Sequence, residues 1–128
     1  MDAQALSEQP ASEPERPPSH LVELSNAMVA LYKDLFGRGP TKAVTRYAGP
    51  DAIVSTLENT LTRAEQKMAE AGDHQQLRNL RTYFQYQYEA DFIEAVERIT
   101  GRTVRGFVSG IDTRKDIATE AFYLEPQK

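Results

Sequence analysis

The chain contains no cysteine. That removes disulfides, thiolate nucleophiles and thiolate metal sites together, zinc ribbons included, and it fits a reducing compartment. Histidine is scarce: His20 and His74 are far apart, each near an expected helix start, and neither has a second histidine at i+3 or i+4. A metal centre built on histidine therefore has no ligand set. Long apolar runs are missing, the longest being Ala27 to Leu31, whereas a membrane-crossing helix needs about 18–20 residues. The opening stretch, MDAQALSEQPASEPERPPSH, has neither the basic start nor the apolar core of a secretory signal, and its acids argue against an organelle transit peptide. A cytoplasmic protein without a membrane span is the expectation. Charge of one sign is also in short supply: 19 acidic against 15 basic side chains give −4, so no general attraction to nucleic acid or anionic lipid is expected.

What remains is the make-up of one soluble domain. At 128 residues, 40% apolar and 27% charged, the chain is long enough for a core and too short for two ordinary domains. Residues 1–18 hold four of the seven prolines and one bulky aliphatic side chain, Leu6, and read as a solvated tail. Residues 19–125 read as a single domain. Without the tail's four acids and one arginine, 15 acidic and 14 basic residues are left, so the folded part is nearly neutral.

Ser19, after two prolines, is an N-cap candidate, and a helical pattern runs from it to a C-cap glycine, Gly37. Leu21, Leu24, Met28, Leu31 and Leu35 form one stripe at steps of three and four, and Val22, Val29, Tyr32 and Phe36 form a second beside it. Two readings follow: a helix sunk deep in its own core, or one stripe kept for a second copy of the chain in a homodimer. The period then drops to two. TKAVTRYA, the turn GPDA and IVSTLE make a hairpin with strands near 41–48 and 52–58. Thr62 and Glu65 match a reciprocal capping box, which opens a short helix from Arg63 to about Ala71. A long helix follows from about His74 to Thr100, closed by Gly101, with Leu77, Leu80, Phe84, Tyr88, Phe92, Val96 and Ile99 as its apolar stripe. TVRGFVSGI, the turn DTRKD and IATEAFYL complete a second hairpin, with Val104, Val108, Phe122 and Leu124 as inward candidates. Helix, hairpin, two helices, hairpin is the pattern of an α+β two-layer domain with a four-stranded, mainly antiparallel sheet.

No catalytic constellation emerges. Ser25, Ser55 and Ser109 lack an elbow motif, and the acids in motif-like positions, Glu65 and Asp112, have cap or turn explanations. GRGPTK fails as a phosphate loop, because it leaves a helix and enters a strand where a Walker loop does the reverse. The aromatic run YFQYQYEADF sits in a helix among acids, which disfavours base stacking, so no nucleic-acid partner is expected. Arginines are more informative. Arg78 and Arg81 lie one helical turn apart, and Arg98, Arg102 and Arg105 cluster near Glu94, Glu97 and Asp91; surface ion pairs are one reading and a small-anion site the other. Arg38, Gly39, Arg78 and Arg81 are the candidate ligand-binding residues. No cofactor is implied.

Taken in order, GRGP after the first helix, LTRAE after the hairpin, Arg81 in the long helix, ITGRTV at its end and SGIDTRKDIATEAFYLE as the last hairpin resemble the MpsC-like family. These are small bacterial proteins named for a Na+-translocating membrane-potential-generating system. The resemblance spans about residues 19 to 125, and TYFQYQYEADF is more aromatic than the family pattern. It implies association with sodium or bicarbonate handling and membrane potential. Because a chain without a spanning segment cannot carry an ion across a bilayer, it also implies an accessory or regulatory role with a partner protein.

Overall fold

The computed structural model describes residues 19–127. The tail expected over residues 1–18 and the capping side chain of Ser19 lie outside that description. The described residues form α1 (Ser19–Phe36), β1 (Lys42–Tyr47), β2 (Ala52–Glu58), α2 (Arg63–Glu70), α3 (His74–Gln87), α4 (Glu89–Thr100), β3 (Val104–Asp112) and β4 (Ile117–Leu124). Both hairpins and both helical stretches stand where the sequence places them. The two hairpins join through β2 and β4, giving the order β1-β2-β4-β3 with every pair antiparallel.

Side chains alternate across a strand, so each strand offers one face to the helices. On β2 and β4 that face carries Ile53, Ser55 and Leu57, and Ala118, Glu120, Phe122 and Leu124, all buried. The core closes around Leu21, Leu24, Met28 and Tyr32 of α1 with Phe92, Ala95 and Val96 of α4. Phe92, Phe107 and Phe122 continue it as a run of ring contacts, with centroids 5.7 and 5.2 Å apart.

Three expectations are corrected. First, Leu21, Leu24 and Met28 are interior residues of the protein's own core, and Leu31 packs against it half-buried. Leu35 is half-buried too, so this stripe is no free surface for a second copy. Helix α1 lies over β1 and β2 on one side and against α4 on another, which accounts for the first stripe and for Tyr32 and Phe36 of the second, while Val22 remains 49% exposed.

Second, the single long helix is two. The chain turns at Tyr88 (φ −98°, ψ 14°), which closes α3 and opens α4. The break lets α3 lie along β3 while α4 packs on α1. The inward face of α3 is Leu77, Arg81 and Gln85, an i, i+4, i+8 row, whereas Leu80 and Phe84 remain 41% and 39% exposed.

Third, Val108 faces outward, 53% exposed. A bulge between Val104 and Gly106 slips the β3 register by one residue, and a one-residue slip exchanges the two faces of a strand. Phe107 takes the inward place, opposite Phe122.

The reassigned α3 face is testable by urea unfolding. Leu77→Ala should cost about 2–5 kcal/mol, as a core truncation does, and Leu80→Ala should stay within about 0.5 kcal/mol. The reverse order would restore the stripe expected from the sequence.

Candidate functional site

The chain between β2 and α2 is where separate segments meet. Asn59 takes a left-handed conformation (φ 61°) and turns the chain out of the sheet. Thr62 then caps α2: its hydroxyl accepts the Glu65 N–H at 3.2 Å, and the Glu65 carboxylate accepts the Thr62 N–H at 2.8 Å. The capping box is present as the sequence indicates.

The loop's remaining polar groups are met by side chains from far along the chain. Asp116, itself left-handed (φ 55°), accepts the Thr60 N–H at 2.8 Å, the Thr60 hydroxyl at 3.1 Å and the Leu61 N–H at 3.2 Å. Arg38 Nη1 donates to the Leu61 carbonyl at 2.9 Å. Arg81 Nη2 donates to the Thr60 carbonyl at 2.6 Å.

Arg81 is fully buried; its charge is met by Glu65 within the protein, while its Nη1 has no hydrogen-bond partner among the described residues. Nε and Nη2 donate to the two Glu65 carboxylate oxygens at 2.9 and 3.1 Å, a forked pair, and the guanidinium lies 3.7 Å from the Phe36 ring centroid. Glu65 therefore does two jobs, closing the helix end and neutralising the arginine.

A second buried polar group adjoins the first. The Tyr32 hydroxyl donates to Glu120 Oε2 at 2.5 Å, and Gln85 Nε2 donates to that oxygen at 2.9 Å and to the Tyr32 hydroxyl at 3.0 Å. Glu120 stands in a polar row crossing all four strands on the inner face, in the register Thr45, Ser55, Glu120, Ser109. At one end of the row, Ser25, Thr45 and Ser55 join by hydroxyl contacts of 2.8 and 2.9 Å.

Burial drives the Glu120 carboxyl up to about 7, against the lowering influence of Ser109, Tyr32, Gln85 and Arg81. Burial, then the neighbouring carboxylate, raises Tyr32 well above the usual phenol range. Ser109 Oγ and Glu120 Oε1 both lack a hydrogen-bond partner, so the influence of Ser109 is that of a nearby dipole, not of a formed bond. A proton on Oε1 would supply the donor that the facing hydroxyl can accept.

Of the four candidate ligand residues, the fold brings two together. Arg38 and Arg81 reach adjacent carbonyls of one loop. Arg78 stays on the outer side of α3, donating to Gln75 at 3.2 Å. Gly39 packs on α1, where a Cβ would come within 3.3 Å of Val29 Cγ1, so its smallness serves the approach of the GRGP turn to the helix. Farther off, Arg98 pairs with Glu94 at 3.3 Å, and Arg102 joins Asp51, the Pro50 carbonyl and the Glu125 carbonyl.

Sequence reasoning passed over Thr60, Asp116, Tyr32, Gln85 and Glu120. One signal was available: Arg81 and Gln85 follow Leu77 at four-residue steps, which marks a helix face with a polar destination. No comparable signal marks Glu120, since an acid between Thr119 and Ala121 reads as the solvent side of a strand.

The geometry defines a class, an α+β two-layer domain whose loop-and-arginine node is answered from within. A family model described as "Na+-translocating membrane potential-generating system (MpsC)" matches residues 20–126, nearly the whole chain, and the chain belongs to that family. No curated protein and no solved structure matches it. The segments GRGP, LTRAE, Arg81 and DTRKD meet here, through Arg38, Thr62 with Glu65, Arg81 and Asp116.

Two measurements check the site. Arg81→Ala leaves Glu65 without its charge partner and the Thr60 carbonyl without a donor; it should cost about 3–5 kcal/mol in urea unfolding. For Glu120, the folded-state value of about 7 lies above the ordinary 4.5. The folded state then holds its proton more tightly, so the contribution is complete below about pH 4.5 and is lost as pH rises through about 7, a loss on the order of 3 kcal/mol. Glu120→Gln should flatten that fall in stability between pH 4.5 and 7.

Proposed function

We propose that this protein is a non-enzymatic cytoplasmic accessory subunit of a sodium-translocating, membrane-potential-generating system, acting as a homodimer that docks a partner protein through its helical layer. The observation that carries this reading is a concentration of exposed aromatic surface on α3. Leu80, Tyr83 and Phe84 fall at i, i+3 and i+4 and so share one helix face, with Tyr83 59% exposed. The buried Arg81 faces the Glu65 carboxylate inside the fold, and Leu80, Tyr83 and Phe84 face out, which suits a protein that works by contact.

The neighbouring groove suggests the partner's chemistry. About 560 Å³ in volume, it is lined by Tyr86, Ala90 and Ile93 together with Glu89, Glu94 and Glu97. Helix α4 as a whole carries four acids and one arginine. A lining of apolar and acidic side chains, with Glu94 already beside Arg98 and Glu97 accepting the Val104 N–H, suits a basic, amphipathic segment, and lysine and arginine next to membrane spans concentrate on the cytoplasmic side of membrane proteins. No helix among the described residues is long and apolar enough to cross a membrane, so the ion path in this reading belongs to the partner.

Complementation in the native cell tests the proposal. In cells lacking this chain, the wild type should restore the sodium-dependent membrane potential. The doubly substituted Tyr83→Glu, Phe84→Glu chain should fold, because both side chains are exposed, yet fail to restore it. Full restoration by that variant contradicts docking through α3.

A further inference from the structure

Among the described residues, the helices close one face of the sheet and leave the other open. Val44, Val54, Val108 and Ala121 point away from the helices and are absent from the residues packed against the core. Within that face Val108 is 53% and Tyr123 40% exposed. A β-branched, nearly uncharged centre of this kind is the usual raw material of a sheet-on-sheet interface. Edge-to-edge pairing through β3 is less open, because the Tyr86 hydroxyl already accepts the Ser109 N–H at 3.0 Å.

We propose that a second copy of this chain covers the outer sheet face, related by a two-fold axis that runs along the strands between the two sheets. The inference rests on the homodimer of the preceding section and assigns its surface. Such an axis sets β1 of one copy over β3 of the other and β2 over β4, keeping each cross-strand row in place. The rows are known from the register. Val44, Thr56, Thr119 and Gly110 form one, and Arg46, Val54, Ala121 and Val108 form the next. Reversing each row onto itself puts large on small: Val44 over Gly110, Val54 over Ala121 and, one row on, Tyr123 over Ala52.

Gly110 fits this role. A Cβ there would meet nothing within 4 Å among the described residues, and glycine inside a strand is a position that admits close approach by another surface. Charge agrees as well. The end row is Lys42, Glu58, Ile117 and Asp112, so the same reversal brings each copy's Lys42 over the other copy's Asp112. Arg46 lies over Val108, where its aliphatic stem can cover the valine while the guanidinium reaches solvent. Aligned sheets cross at about 30°, so these matches hold best at the centre of the face.

Light scattering on the full chain, with far-UV circular dichroism as the folding control, is the test. The wild type should be a dimer, and Val108→Lys, which opposes the second copy's Arg46, should be a folded monomer. Lys42→Asp should raise the dissociation constant at least tenfold, and adding Asp112→Lys should recover most of that loss by exchanging the charges. In a chain without cysteine, Val108→Cys reports the face cleanly and should react with maleimide more slowly in the dimer than after dilution to monomer. A wild-type dimer that Val108→Lys leaves intact overturns the surface and spares the homodimer. A wild-type monomer overturns both, and a Val108→Cys that is shielded in that monomer would assign the face to another part of the same chain.

Discussion

Arg81 is a full charge in the interior of a small α+β fold, and the neighbouring architecture has to answer it. Taking a guanidinium out of water costs several kcal/mol, which one hydrogen bond does not offset. Glu65 supplies the countercharge in a two-pronged geometry, the Thr60 carbonyl takes a further N–H, and the Phe36 ring covers the flat face. Each partner sits on a different element: α2, the loop after β2, and the end of α1. The arginine thereby fixes the helical layer against the sheet at one point. Asp116 at the foot of the second hairpin and Arg38 in the GRGP turn complete the grip on that loop.

The two buried polar groups differ in what they contribute. The Arg81 and Glu65 pair joins opposite charges and specifies one arrangement of α2 against α3. Tyr32, Gln85 and Glu120 instead gather hydroxyl, amide and carboxyl around one acid whose ionisation is opposed by burial. Stability set by such an acid falls as pH rises from about 4.5 through about 7. Both groups lie on the inner faces of α1, α3 and β4; among the described residues, Tyr83 on the outer side of α3 and Val108 on the outer face of the sheet remain 59% and 53% exposed.

Where periodicity dictated structure, the sequence was easy to read. The hairpins β1-β2 and β3-β4, the capping box at Thr62 and Glu65, and Gly37 and Gly101 as helix ends all follow from local rules, the two glycines with left-handed φ values of 78° and 72°. The misplaced features are those set by tertiary contact. Apolar spacing assigned Leu80 and Phe84 to the core because nothing local says that an arginine and a glutamine will find partners there. Val108 was lost to a single bulge, whose slip changes every facing beyond it. The α1 stripe allows a core or an interface in the sequence, and the packing of α4 beside it decides for the core. Of the candidate site, the capping pair, Arg38 and Arg81 were legible as residues, whereas their shared loop was not.

The chain belongs to the family described as a Na+-translocating membrane potential-generating system (MpsC), and its loop-and-arginine node is built inside the fold. The central claim is that Arg81 and Glu65 act on each other inside the fold instead of receiving a ligand. A double-mutant cycle over Arg81→Ala and Glu65→Ala, followed by urea unfolding, addresses it directly, since the cap contribution of Glu65 cancels between the two arms. A coupling energy of about 2 kcal/mol or more is predicted. Additivity within about 0.5 kcal/mol would mean that the two charges hardly sense each other, and would contradict the account.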